Sequence, residues 1–170
     1  MGRQLRGRPV RVIIQLSVDV IPGRAAALAR ILIVDDDSAV QMTLRLLLEG
    51  AGHNVVVAND GRRGLDLING EAFDLLILDI FMPGMDGFET LRVVRQQRPA
   101  LPIIAISGRP IASGPDDGPD FLVMATKLGA VRSLHKPFRP SVLLATVAAC
   151  LEAANRSSSK AVAGKIASDR

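Results

Sequence analysis

Ile31-Leu32-Ile33-Val34-Asp35-Asp36-Asp37 and Leu75-Leu76-Ile77-Leu78-Asp79 decide how this chain folds. Each is a short aliphatic run that ends abruptly in aspartate. A third run, Ile103-Ile104-Ala105-Ile106, ends at Ser107, and a fourth segment ends at Lys136-Pro137. Apolar runs of this length, rich in β-branched residues, read as strands buried on both faces of a parallel sheet. Such sheets bind ligands at the carboxyl ends of their strands. Carboxylates, a hydroxyl and an amine at the strand tips would therefore converge on one pocket. That set suits Mg²⁺ and a phosphoryl group.

Between these runs the pattern alternates strand and helix, the mark of βαβ units. Ser38 caps an expected helix with Val40, Leu44, Leu47, Leu48 and Ala51 at helical spacing, stopped by Gly50 and Gly52. Val55-Val56-Val57 reads as a second strand, and Arg62 to Ile68 as a short helix ended by Asn69-Gly70. The third strand covers Asp74 to Leu78, and a third helix runs from Gly87 to Gln97. Pro110, Gly114, Pro115, Gly118 and Pro119 make residues 107–120 a turn-rich loop. A helix over Phe121 to Leu128, a strand near Val131 to Leu134 and a last helix from about Ser141 to Ala153 complete the series.

The chain has 170 residues, enough for one domain and tails, and 48% hydrophobic content supports a core. Trp and Tyr are absent, so aliphatic packing must supply most of that core. Cys150 is the sole cysteine and lies in an apolar helical stretch, so it reads as a buried structural thiol. No apolar run approaches the roughly 20 residues that cross a bilayer. A cytoplasmic protein without a membrane partner is the expectation.

The net charge of +4 is unevenly spread. Residues 1–30 hold six arginines and one acid, and residues 155–170 hold four basic residues and one acid. The remaining 11 basic and 15 acidic residues leave the folded part at −4. Basic ends without interleaved aromatics argue against nucleic acid as a partner. Residues 1–29 read as a poorly ordered basic N-terminal extension. They do not read as a signal peptide, because Gln15, Ser17 and Asp19 interrupt the apolar run. Residues 30–153 form the domain, and 154–170 read as a disordered Ser-, Ala- and Lys-rich tail.

Four pieces together resemble the receiver domain of two-component response regulators, of the stand-alone, chemotaxis-regulator-like kind. They are Val34-Asp35-Asp36-Asp37, the segment Leu78-Asp79-Ile80-Phe81-Met82-Pro83-Gly84-Met85-Asp86-Gly87, Ile106-Ser107-Gly108, and His135-Lys136-Pro137-Phe138. They occur in the family's order and at about its spacings, over roughly Arg30 to Ala153. The resemblance implies a flavodoxin-like fold: a doubly wound five-stranded parallel sheet of order 2-1-3-4-5 with helices on both faces. The switch point then falls between the first and third strands, where Asp35, Asp36 and Asp79 sit.

The resemblance also implies roles. Asp79 is the phosphoacceptor, a carboxylate nucleophile that forms an acyl phosphate. Asp35, Asp36, Asp79 and the backbone carbonyl of Phe81 hold Mg²⁺, a hard cation that prefers oxygen ligands. Lys136 pairs with Asp79 before phosphorylation and with the phosphoryl group afterwards. A cis peptide before Pro137 aims it inward. Ser107 donates its hydroxyl to the phosphoryl group, and Gly108 leaves room for it. Apart from the resemblance, Asp37 reads as a helix-start residue, Asp86-Gly87 as the turn and cap opening the third helix, and His53 and His135 as surface or structural residues. The donor would be a histidine kinase or a histidine phosphotransfer protein, and phosphorylation would switch the binding of a downstream protein. No output module is expected, and no catalysis beyond the protein's own phosphorylation and dephosphorylation.

Two features depart from the family. The position three before the lysine, where many receivers carry Tyr or Phe, is Ser133, and the loop after the fourth strand is several residues longer than usual. This leaves the 108–120 loop as a candidate switch. Phe81 and Arg109 border the path of a hydrolytic water, and an apolar Phe81 should prolong the phosphoryl state. Three rival readings are a degenerate receiver that binds without phosphorylation, a haloacid-dehalogenase-type phosphohydrolase using Asp35-Asp36-Asp37, and a DNA-binding regulator. The complete set Asp35, Asp36, Asp79, Ser107 and Lys136 argues against the first. The second leaves Met82-Pro83-Gly84 unexplained.

Overall fold

The computed structural model describes residues 28–108 and 121–168. The basic segment 1–27 and the long loop, including Arg109, lie outside the described residues, and so does the loop-switch expectation. Ten elements alternate: β1 Arg30–Val34, α1 Ser38–Gly50, β2 Asn54–Ala58, α2 Gly61–Gly70, β3 Leu75–Asp79, α3 Gly87–Gln97, β4 Ile103–Ser107, α4 Phe121–Lys127, β5 Arg132–His135 and α5 Pro140–Ser168. All strand pairs are parallel, and the order is β2-β1-β3-β4-β5, as expected.

Side-chain alternation along the strands builds two cores. Leu32, Val34, Leu76, Leu78, Ile103 and Ala105 face one way and pack with Ile68 of α2, Leu91 and Val94 of α3, and Ala125 of α4. Ile31, Ile33, Leu75, Ile77, Ile104 and Ile106 face the other way, against Leu44 and Leu48 of α1 and Leu143, Val147 and Cys150 of α5. Every residue of β3 and β4 is buried, which explains their unbroken apolar sequence. Cys150 is buried in the second core, where burial pushes its thiol pKa up, so it is structural as expected.

Three local expectations are corrected. Asp37, not Ser38, caps α1: its side chain accepts from the N–H groups of Ala39 and Val40 at 2.8 and 3.3 Å. A carboxylate accepts these helix-end donors and also favours the helix dipole. β3 and β5 each sit one residue later than the expected Asp74–Leu78 and Val131–Leu134, because ladder pairing continues to Asp79 and His135 at the tips. The tail expected to be disordered from residue 154 is helical to Ser168. No proline follows Pro140 and no glycine lies between Pro140 and Gly164, and Ala, Lys and Arg propagate a helix well. The first helical turns past Ala153 also carry an i,i+4 ion pair, Glu152–Arg156, at 3.7 Å.

Glycines bring α2 and α3 close to the strand tips. A Cβ on Gly87 would lie 2.2 Å from the Asp79 carbonyl oxygen and 2.5 Å from Ile80 Cα. The Gly87 N–H instead donates to the Ile80 carbonyl at 3.0 Å and closes the loop from β3 to α3. Asp86 caps α3 by accepting from the Glu89 N–H at 2.8 Å. Gly84, at φ +79°, turns the loop. No helix among the described residues is long and apolar enough to cross a membrane.

His53 follows α1, buried, with its N–H donating to the Leu48 carbonyl at 3.0 Å. Its Nδ1 has no hydrogen-bond partner, and burial lowers its pKa from the usual 6.5. Burial thus favours the neutral ring in the fold, and the stability this gives above pH 6.5 is lost as pH falls below it. Replacing it by glutamine should flatten the acid side of the urea-midpoint profile in that window. Gly87→Ala should cost about 2–3 kcal/mol in urea unfolding, since the new methyl meets backbone that cannot yield. Gly50→Ala, with nothing within 4 Å, should leave stability unchanged or slightly raised.

Candidate phosphoryl and metal site

The tips of β1 and β3 place Asp35, Asp36 and Asp79 together, with one carboxylate oxygen from each within 4.8 Å of the others. Asp35 is fully buried, Asp79 is 5% exposed and Asp36 is exposed. Lys136 arrives from the end of β5, past the tip of β4. Its own N–H donates to the Ser107 carbonyl at 2.7 Å, and the Lys136–Pro137 peptide is cis, as expected. Ser107 ends β4 beside His135 of β5 and is buried. Four strands thus contribute Asp35, Asp79, Ser107 and Lys136 to one end of the sheet.

Lys136 was expected on Asp79, and its nearer partner is Asp35. The Nζ lies 2.7 Å from Asp35 Oδ2 and 3.5 Å from Asp79 Oδ2. The other Asp35 oxygen accepts the Asp37 N–H at 2.9 Å. A fully buried carboxylate is the more costly to leave unpaired, so the single ammonium sits tightest there. Asp79 is left with a buried Oδ1 that accepts no hydrogen bond among the described residues. Burial raises its pKa. Lys136 works against that rise, neighbouring Asp35 adds to it, and the Phe81 N–H opposes it.

These features fit a divalent cation. Three carboxylates face one ammonium, and a buried Asp79 oxygen has no hydrogen-bond partner among the described residues. The donors are hard oxygens, the chemistry Mg²⁺ prefers. Among the described residues, a Cβ on Gly108 would meet only Lys136 Cδ, at 3.9 Å.

Other residues take structural places. The Phe81 ring meets Phe121 of α4 edge to face, with centroids 4.8 Å apart at 86°, and Phe88 lies 6.2 Å from Phe121. Ser133 is half-buried and pairs with Ala105. Gln41 of α1 was passed over in the sequence. Its Nε2 donates to the Asp35 carbonyl at 2.5 Å and to the Ala58 carbonyl at 3.3 Å. A signal existed: Gln41 falls three residues before Leu44 and seven before Leu48, on the stripe that faces the sheet.

Removing Lys136 should expose the imbalance. Lys136→Ala should lose roughly 2–3 kcal/mol in urea, and added Mg²⁺ should restore part of it. Asp79→Asn should act oppositely. With its pKa raised in the fold, Asp79 contributes fully below about pH 3.8 and loses that contribution as pH rises through the folded value. In EDTA at neutral pH the asparagine variant should therefore have the higher urea midpoint, and the gap should close in acid.

The chain matches the family model for the response regulator receiver domain over residues 31–148. It is 37% identical over 138 residues to the transcriptional regulatory protein FixJ of Bradyrhizobium diazoefficiens, covering 81% of this chain and 64% of that protein. It is 40% identical over 122 residues to the transcriptional regulatory protein CpxR of Escherichia coli, covering 72% and 49%. The chain thus spans about half to two-thirds the length of these relatives. Among solved structures, a CheY-like response regulator receiver domain protein from Methanospirillum hungatei superposes with a TM-score of 0.68 at 31% identity, covering 77% of this chain and 99% of that one. The sheet order, the acidic tips and these likenesses agree, and the chain belongs to the response regulator receiver family, the signalling phosphoacceptors of two-component systems.

Proposed function

We propose that Asp79 accepts a phosphoryl group from a histidine kinase or a histidine phosphotransfer protein, and that the phosphorylated domain changes its affinity for a downstream protein. The observation that carries this reading is the buried Asp79 carboxylate, one oxygen without a partner, held beside Asp35, Asp36 and Lys136. In the donor, the phosphorus–nitrogen bond of a phosphohistidine breaks as an Asp79 oxygen bonds to phosphorus. The product is an acyl phosphate, and the imidazole leaves with the bond's electron pair. Asp35, Asp36, Asp79 and the Phe81 carbonyl would hold Mg²⁺. When bound, the ion supplies charge neutralisation and orientation for the phosphoryl oxygens.

The chain's own groups do the rest. Lys136 already spans Asp35 and Asp79, so a small movement of its Nζ places it on a phosphoryl oxygen. The Ser107 hydroxyl, at the neighbouring strand tip, donates to another. These contacts exist only in the phosphorylated state and shift the population toward a second conformation. Ser133 supplies no aromatic ring for the readout, which sets this chain apart from many relatives. Phe81 keeps its ring on Phe121 and places no amide or acid near the acyl phosphate that would guide a hydrolytic water.

Incubation with acetyl phosphate and Mg²⁺, read by intact mass, should give a single phosphoryl adduct on the wild type. Asp79→Asn or EDTA should abolish it. An equal adduct on Asp79→Asn would overturn the assignment. Phe81→Asn should shorten the adduct's lifetime several-fold, and an unchanged decay would remove Phe81 from that role.

A further inference from the structure

We propose that Gln41 is a positioning residue that sets the Mg²⁺ affinity of the site by fixing the backbone that carries Asp36; this rests on the reading that Asp35, Asp36 and Asp79 hold the ion. Asp36 is the exposed carboxylate of the cluster, and among the described residues its side chain takes part in no hydrogen bond or ion pair. Its place is therefore set by main chain alone. That main chain is pinned on both sides. The Asp35 N–H donates to the Ala58 carbonyl at 3.2 Å, and the Asp37 N–H donates to Asp35 Oδ1 at 2.9 Å. The Asp35 carbonyl, on the peptide joining Asp35 to Asp36, is held by Gln41 Nε2 at 2.5 Å.

The same amide reaches the Ala58 carbonyl at 3.3 Å. One side chain thus ties the tip of β1 to the tip of β2. It does so from the first turns of α1, where its own N–H donates to the Asp37 carbonyl at 2.9 Å. Rotating the Asp35–Asp36 peptide would break this bond and leave a partly buried carbonyl unpaired, so the clamp resists the motion that would carry Asp36 away from Asp79. Gln41 touches neither phosphoryl group nor ion. It acts as outer-shell support, which is known to tune metal affinity through ligand orientation. The requirement is specific. The group must be a donor, since both targets are carbonyls, and it must be long enough to reach from the helix.

The test is calorimetric titration of the full, unphosphorylated chain with MgCl₂, for wild type, Gln41→Leu, Gln41→Asn, Gln41→Arg and Asp36→Asn. Gln41→Leu keeps volume and helix propensity and removes the donor. It should raise the Mg²⁺ dissociation constant about three- to tenfold, the span that one or two ordinary hydrogen bonds supply. Gln41→Asn, one methylene short, should fall near it, and Gln41→Arg should recover most of the affinity. In acetyl-phosphate reactions the defect should appear as a higher Mg²⁺ concentration for half-maximal rate, with the rate at saturating Mg²⁺ retained. A residue that only supports the fold would lower the urea midpoint without this pattern. Wild-type affinity in both Gln41→Leu and Gln41→Asn, with Asp36→Asn impaired, would overturn the role of Gln41 and leave the metal reading standing. No Mg²⁺ binding by wild type would overturn the metal reading, and the inference with it. Should Gln41→Leu fail to fold, the contrast between Gln41→Asn and Gln41→Arg decides alone.

Discussion

One ammonium serving a cluster of carboxylates governs this structure. Lys136 lies 2.7 Å from Asp35 and 3.5 Å from Asp79, so it pairs with both and more tightly with Asp35. The tighter contact goes to the more deeply buried Asp35, which also takes the Asp37 N–H. Asp79 keeps an oxygen without a partner and a raised pKa. A site left in this state costs stability when empty and gains from a cation and from a group that carries its own oxygens. The tension between folding and function is thus located at one carboxylate, at the tip of the central strand.

The remainder of the fold serves to hold that tension in place. The strands bearing Asp79 and Ser107 are buried along their whole length and packed on both faces, which fixes where their tips emerge. Gly87 lets α3 close on the backbone of Asp79, and Asp86 and Asp37 cap the helices that start beside the site. Gln41 and the Lys136 N–H add ties between neighbouring tips. Such supports need no chemistry of their own. They convert a set of side chains into a geometry.

The sheet was legible because a strand buried on both faces has no polar residue to hide its apolar run, and because Asp, Ser and Lys at the ends of such runs are costly unless they meet. The meeting of Asp35, Asp36, Asp79, Ser107 and Lys136 at one end of the sheet was readable for that reason, helped by the resemblance. The preference of Lys136 for Asp35 was not, since relative burial at strand tips depends on twist and packing that no local pattern encodes. Asp37 as the cap was masked by Ser38, an equally good capping residue next to it. Gln41 left a trace in the helical stripe, but its carbonyl partners come from two different strands. The helix beyond Ala153 was missed because a polar, low-hydrophobicity segment was equated with disorder, whereas Ala, Lys and Arg extend a helix that has already begun.

The most direct test of Asp79 as the acceptor is chemical. Borohydride reduces an aspartyl phosphate to homoserine, so the protein phosphorylated with acetyl phosphate and Mg²⁺ would be reduced, digested and mapped by mass spectrometry. Homoserine is expected at position 79 and nowhere else. Homoserine at position 35, 36 or 37 would contradict it and move the chemistry to the first strand. A phosphoryl adduct that yields no homoserine would contradict the acyl phosphate itself.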